Sequence, residues 1–281
     1  MLYRRVVAIT LAIALPVFVL TQIALGAVPS SVGLVYYKKK NFAIGDWVLY
    51  RVKGSNQDGD KSVDYQKVAA VLEEDYQGER CFWLETGYGR APDTLEWSCA
   101  EISQNAFEDT IAYLRPNFYL RRLQTFTDAQ GVPRVAAVKT FDPRMPLPDF
   151  ASRRPVIQES RWDTLDTPKG PIRCWYTKSV RTHKNTRSNP DGTVERGVES
   201  TVERWINPDA VPITGIVRER EHKVYKTREW PIGKLSKDYP EVVNAFDDFT
   251  TELLDFGKGA KPRMANRVQD ARDQRAVNIE P

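Results

Sequence analysis

The sequence predicts a mainly β fold with some helix. The expected architecture is a curved antiparallel sheet or unclosed half-barrel with a short helix and a C-terminal amphipathic helix, preceded by an N-terminal hydrophobic helix. Three observations predict it. Runs rich in β-branched and aromatic residues recur from position 44 to 225, broken by clusters of Gly, Pro, Asn and Asp. These runs follow one another at roughly 10–20 residues, too closely for the crossover helices of a parallel sheet. A single apolar stripe at helical spacing stands apart near the C-terminus.

The chain has 281 residues, of which 41% are hydrophobic and 28% charged, a composition that excludes a polytopic membrane protein, a collagen-like chain and wholesale disorder. Lys and Arg number 41 against 37 Asp and Glu, so the charge is nearly balanced and gives no argument for nucleic acid.

Arg4 and Arg5 precede an apolar run over 6–25, interrupted only by Thr10, Pro16, Thr21 and Gln22. Residues 1–27 therefore read as a cleaved signal peptide or a retained transmembrane anchor, and both readings stand. The basic start places the body across the membrane, in the periplasm or on the periplasmic face of the inner membrane. No Cys precedes Cys81, which argues against a lipid-modified cysteine after the run. Residues 28–41 read as a linker ending in Lys38-Lys39-Lys40, and 42–256 as the β domain.

Within that domain, 46–52 and 63–72 read as strands around the turn cluster at 55–60. A hairpin follows. Folded symmetrically about Arg90, it sets Trp83 opposite Trp97 and Cys81 opposite Cys99, within disulfide range. An oxidising compartment favours that bond, and Cys174 is left as a buried thiol. Ser103 can cap a short helix over 103–114, which Pro116 ends. Strands resume at 118–127 and 135–140. Pro143, Pro146, Pro148 and Pro155 make 142–155 an irregular connection. Three long strands follow at 156–165, 172–184 and 194–206. The last two flank Asn189-Pro-Asp-Gly192, and pairing about that turn sets Lys178 opposite Glu203 and puts Trp175 on the face of Val198, Val202 and Ile206. A strand at 213–225 closes the series. Tyr239, Val242, Phe246, Phe249, Leu253 and Phe256 then repeat at helical spacing, with Asp238 placed to cap and Gly257 to terminate. Residues 257–281 read as a mobile polar tail.

Two stretches carry a resemblance. One is Phe42-Ala-Ile-Gly-Asp-Trp-Val-Leu-Tyr; the other runs from Glu203-Arg-Trp through Val211-Pro212 to Gly215-Ile-Val. Together with the apolar N-terminus and the antiparallel pattern, they resemble the outer-membrane lipoprotein-sorting (LolA/LolB-like) superfamily over 42–227. The resemblance implies an unclosed barrel whose apolar concave face holds acyl chains. The cysteine hairpin, the C-terminal stripe and the alternative of a retained anchor depart from that pattern.

Catalytic patterns are absent from the sequence: there is no G-x-S-x-G, HExxH, P-loop or GxGxxG, and His183 and His222 sit in charged strand segments. No metal or cofactor is expected, since the chain lacks CxxC and has two His. The expected function is non-enzymatic: a bacterial envelope protein binding a membrane lipid or a lipoprotein acyl chain. Trp47, Trp83, Trp97, Trp175, Val198, Val202 and Trp205 would form the apolar face, although core packing is the ordinary use of such residues. Arg121, Arg122, Arg153 and Arg154 would form a headgroup rim. The alternative is a membrane-anchored accessory subunit that meets a membrane-protein complex through its N-terminal or C-terminal helix.

Overall fold

The computed structural model describes residues 41–107, 120–129, 132–140, 155–190 and 192–263, with backbone alone for 120–140. The strands are β1 (Trp47–Asn56), β2 (Lys61–Tyr76), β3 (Glu79–Gly89), β4 (Glu96–Ser103), β5 (Leu120–Ala129) and β6 (Val132–Thr140). They continue as β7 (Val156–Thr167), β8 (Gly170–Asn189), β9 (Gly192–Ile206), β10 (Ile216–Trp230) and β11 (Val242–Gly257). All belong to one antiparallel sheet of eleven strands, in the order β6-β5-β4-β3-β2-β1-β11-β10-β9-β8-β7. Nine of these strands, β1–β4 and β7–β11, are described to their side chains. The sheet does not close, because β6 and β7 are its two ends. Two meanders are thus stitched together by one non-sequential pairing, β1 with β11.

The antiparallel prediction is met, and one register is met residue by residue. Lys178 pairs with Glu203 and Trp175 with Ile206 across β8 and β9. The Asn189 side chain accepts from the Gly192 amide at 2.9 Å, which fixes the turn and hence every pair beyond it.

No α-helix occurs among the described residues, and none of their helices is long and apolar enough to cross a membrane. The predicted C-terminal helix is strand β11. A helix there would leave the facing edges of β1 and β10 without backbone partners, and β11 satisfies both. The stripe does not stay on one side of the strand: Phe249, Leu253 and Phe256 pair with Gly54, Tyr50 and Val48 on one face, Phe246 pairs with Val224 on the other, and a bulge opposite Leu49/Tyr50 makes the three-residue step from Leu253 to Phe256. The route to a partner through a C-terminal helix goes with it. The predicted helix at 103–114 appears as a single 3-10 turn, Gln104–Phe107; its remainder lies outside the described residues, as do 1–27 and the linker up to Lys40.

The cysteine hairpin is displaced. Its turn sits on Ala91-Pro92-Asp93-Thr94, with the Thr94 amide donating to Ala91 O at 3.2 Å, rather than on Arg90. Cys81 therefore faces Ser103, and Cys99 faces Glu85. Four residues of strand, about 13 Å, separate the two sulfurs' positions. Cys81, Cys99 and Cys174 are buried thiols with no disulfide. Trp83 faces Glu101, and Trp97 faces Gly87 instead of Trp83. A Cβ on Gly87 would lie 2.9 Å from Leu95 and from the Trp97 ring, so glycine is what lets the indole lie down there.

The first residues of the expected tail are held by the sheet. The Ala260 amide donates to Gly45 O at 2.8 Å, and the Arg263 amide donates to the Glu85 carboxylate at 2.9 and 3.1 Å, so 258–263 is pinned against the sheet. Residues beyond 263 lie outside the described set.

Candidate functional site

Paired residues in an antiparallel sheet share a face, so the register assigns every side chain to one of two sides. The first face carries Val48, Tyr50, Val68 and Leu84 in one half of the sheet and Val198, Val202 and Trp175 in the other. The second face carries Trp47, Trp83, Trp97 and Trp205. The seven residues expected on one apolar face are therefore divided: Trp175, Val198 and Val202 lie on the first, and the four remaining tryptophans on the second. Backbone pairing places Arg122 opposite Glu101 and Thr140 on β5, next to Arg121. Arg153 and Arg154 lie outside the described residues.

The first face is covered at its centre by the chain itself. Between β9 and β10 the corner Asn207–Gly215 folds over it, with Val211 and Ile213 wholly buried. Ile213 holds φ at +66°, a left-handed conformation rarely adopted by a β-branched residue. Tyr50 locks this corner: its hydroxyl donates to Ile216 O at 2.9 Å and shares a second hydrogen bond with Thr214. Burial pushes the Tyr50 phenol pKa well above its ordinary value. The Asn41 amide reaches Pro208 O and Val211 O, both at 3.1 Å.

Beside this corner the first face stays open. A groove of about 530 Å³ runs along β7, β8 and β9, walled by Ile157, Trp162, Trp175 and Ile206, with Arg204 and Asn207–Asp209 at one side. Trp162 and Trp175 are register partners whose rings meet edge to face at 5.3 Å. Large aromatics are normally withdrawn from water, yet these are 57% and 39% exposed, and Ile157 is 60% exposed. The Arg173 guanidinium sits 4.5 Å from the Trp162 ring. Arg204 is in ionic contact with Glu219. Asn207 shapes the groove's end, accepting from the Asp209 and Ala210 amides and donating to Arg173 O at 2.8 Å. The groove's aromatic partner, Trp162, was legible in the sequence: pairing about the turn at 167–170 places it opposite Trp175.

The second face is better filled. Ala69, Val71, Trp83 and Cys99 form a packed cluster, with Trp47, Leu72, Trp97 and Ala260 against it. A smaller pocket of about 400 Å³ lies between Trp47, Trp97, Lys67 and the 259–263 segment. Lys67 lies 4.3 Å from the Trp47 ring and Arg263 lies 4.7 Å from the Trp97 ring. Burial and then the Arg263 charge lower the Lys67 pKa. On this same face the Trp205 indole donates to Asp163 at 2.8 Å, which holds that carboxyl below its usual range together with the Thr164 amide.

Neither histidine and none of the cysteines lines the groove. His222 meets Asp248 at 2.8 Å on the exposed second face, and His183 is exposed opposite Val198. Cys174 donates to Ile172 O at 3.3 Å, and burial pushes its thiol up to about 11, which keeps it protonated at neutral pH. Among the described residues no group of three or more His, Cys, Asp or Glu side chains is arranged to hold a metal. What the groove offers is aromatic and aliphatic surface with a guanidinium, an amide and a carboxylate at one end. That combination can hold an apolar chain and orient a polar end.

No family model matches the chain, and no curated protein matches it. Solved structures do. One is a candidate exported protein described as having a YmcC-like fold, from Bacteroides fragilis, at 11% identity and a TM-score of 0.33. Another is a candidate lipoprotein from Parabacteroides distasonis, at 12% identity and a TM-score of 0.31. Each covers 79% of this chain and 99% of its own. At these values the likeness does not extend to function.

Proposed function

We propose that this protein is a non-enzymatic protein of the bacterial envelope that holds an acyl chain, of a lipid or a lipoprotein, in the groove of the first face. One observation carries the reading: Ile157, Trp162 and Trp175 are left substantially exposed around an open groove of about 530 Å³. A protein with no use for that surface would bury it or make it polar. Each methylene moved from water into such a groove contributes roughly 0.8 kcal/mol, so about six contribute near 5 kcal/mol before the entropy of association is subtracted. The polar end meets Arg204 and Asn207–Asp209. The apolar run at 6–25 supports an exported location, with the body in the periplasm or against the inner membrane.

The test uses the full-length chain and palmitate, read by native mass spectrometry. Ile206→Asp places a charge in the groove wall and weakens palmitate binding at least about tenfold. Trp97→Ala, on the second face, leaves it unchanged. Binding that survives I206D, or that is lost in W97A, refutes this site.

A further inference from the structure

The groove's outer wall is β7, and β7 is also an end of the sheet. It is a twelve-residue strand, and among the described residues no strand pairs with its outer side. An edge of that length presents a row of backbone donors and acceptors ready to pair with another strand. Proteins commonly guard such edges by shortening, by a proline or by a bulge. Here the one bulge lies near the start, between Ile157 and Glu159, and no proline falls within the strand. Val156, Ile157 and Trp162 stand at 67%, 60% and 57% exposure along it.

We propose that the occupant of this edge is a second copy of the same chain, paired antiparallel through β7 with the two-fold axis at Trp162. The sequence of β7 is self-complementary in that register. Trp162 lies opposite the partner's Trp162, and Ser160 lies opposite the partner's Thr164. Arg161 lies opposite the partner's Asp163, and by symmetry Asp163 lies opposite the partner's Arg161, so two opposite-charge pairs form. The pairing engages 157–167, nearly the whole strand. Centring on Arg161 instead would set Arg161 against itself and Glu159 against the partner's Asp163 on both sides of the axis, three like-charge clashes. Centring on Ser160 would pair Arg161 with Glu159 but leave both indoles unmatched and shorten the contact. The favoured register brings the two indoles together on the first face. Each copy then extends the wall of the other's groove, and the grooves run on into one another across the axis. Arg161 and Asp163 lie on the second face, where Arg161 is in ionic contact with Glu159 and stacks 4.1 Å from the Tyr176 ring, and Asp163 receives the Trp205 indole at 2.8 Å. Pairing across the axis therefore exchanges the Arg161–Glu159 contact for Arg161–Asp163 contacts between copies.

The experiment is a charge swap on the full-length chain, read by native mass spectrometry, where the two variants differ in mass. R161E alone and D163R alone each turn both cross-axis pairs into like-charge pairs, and each dimerises at least about tenfold more weakly than the wild type. Mixed together, the two variants restore both pairs, and a heterodimer forms while neither homodimer does. A circular dichroism spectrum for each variant matching the wild type confirms that the sheet is intact. Independently, W162C sets two thiols directly opposite one another, within disulfide range, and mild oxidation gives a covalent dimer. A monomeric wild type, a D163R variant that stays dimeric, a mixture with no heterodimer, or W162C with no covalent dimer overturns the proposal. None of these outcomes depends on whether the groove holds an acyl chain.

Discussion

Tyr50 is a single residue on which a whole corner depends. Its hydroxyl joins β1 to Thr214 and Ile216 across more than 160 positions of sequence, inside a buried site. Tyr50→Phe leaves Ile216 O without that donor and is expected to destabilise the body by about 1–3 kcal/mol, measured by urea denaturation. The three thiols provide a second measure at this scale. All are buried, so Ellman's reagent should find none in the native chain and all three in guanidinium without added reductant. Fewer than three would mean that a disulfide exists. Asp163 provides a third. The Trp205 indole and the Thr164 amide depress its pKa, so its contribution is present above the ordinary carboxylate pKa near 4 and is lost as pH falls through the lower folded value. Asp163→Asn should flatten that acid limb of the stability curve, and an unchanged limb would show that another carboxylate sets it.

Among the elements, β11 is where sequence and structure part. Its stripe has helical spacing in the sequence, but the strand puts Phe246 on the second face and Phe249, Leu253 and Phe256 on the first, with one bulge taking up the step from Leu253 to Phe256, and such pairing is set by neighbours that a local reading does not see. The β8–β9 hairpin was legible because Asn189-Pro-Asp-Gly192 fixes its turn and thus its register. The β3–β4 hairpin was legible as a hairpin but not in register, because the glycine-bearing stretch before the turn looked like the turn itself. Gly87 in fact serves packing: it makes room for Trp97. Gly87→Val should therefore destabilise the body by about 1–3 kcal/mol through overpacking, and a neutral result would contradict the assigned register. For β11 the decisive change is Thr250→Pro. Thr250 pairs with Lys53 on one side and Arg220 on the other, so losing its amide and clashing at the ring should unfold a central strand. A native-like circular dichroism spectrum for T250P would refute the sheet order.

At the scale of the whole molecule, antiparallel pairing could be read from turn spacing, while the open sheet was expected only from the resemblance. The division of the tryptophans between two faces could not, because it depends on which strands neighbour one another across the β1–β11 seam. That seam joins strands from opposite ends of the described body and makes the fold non-local, so slow folding is expected. The same division decides where a ligand goes: toward exposed Trp162 and Trp175, not toward Trp47 and Trp97, which the 258–263 segment helps to cover. Quenching of tryptophan fluorescence by brominated palmitate tests this directly, since bromine quenches only indoles it approaches. The wild type should be quenched, and the W162F/W175F double variant should bind palmitate but lose most of that quenching. No quenching of the wild type, or equal quenching in the double variant, would place the acyl chain elsewhere or nowhere.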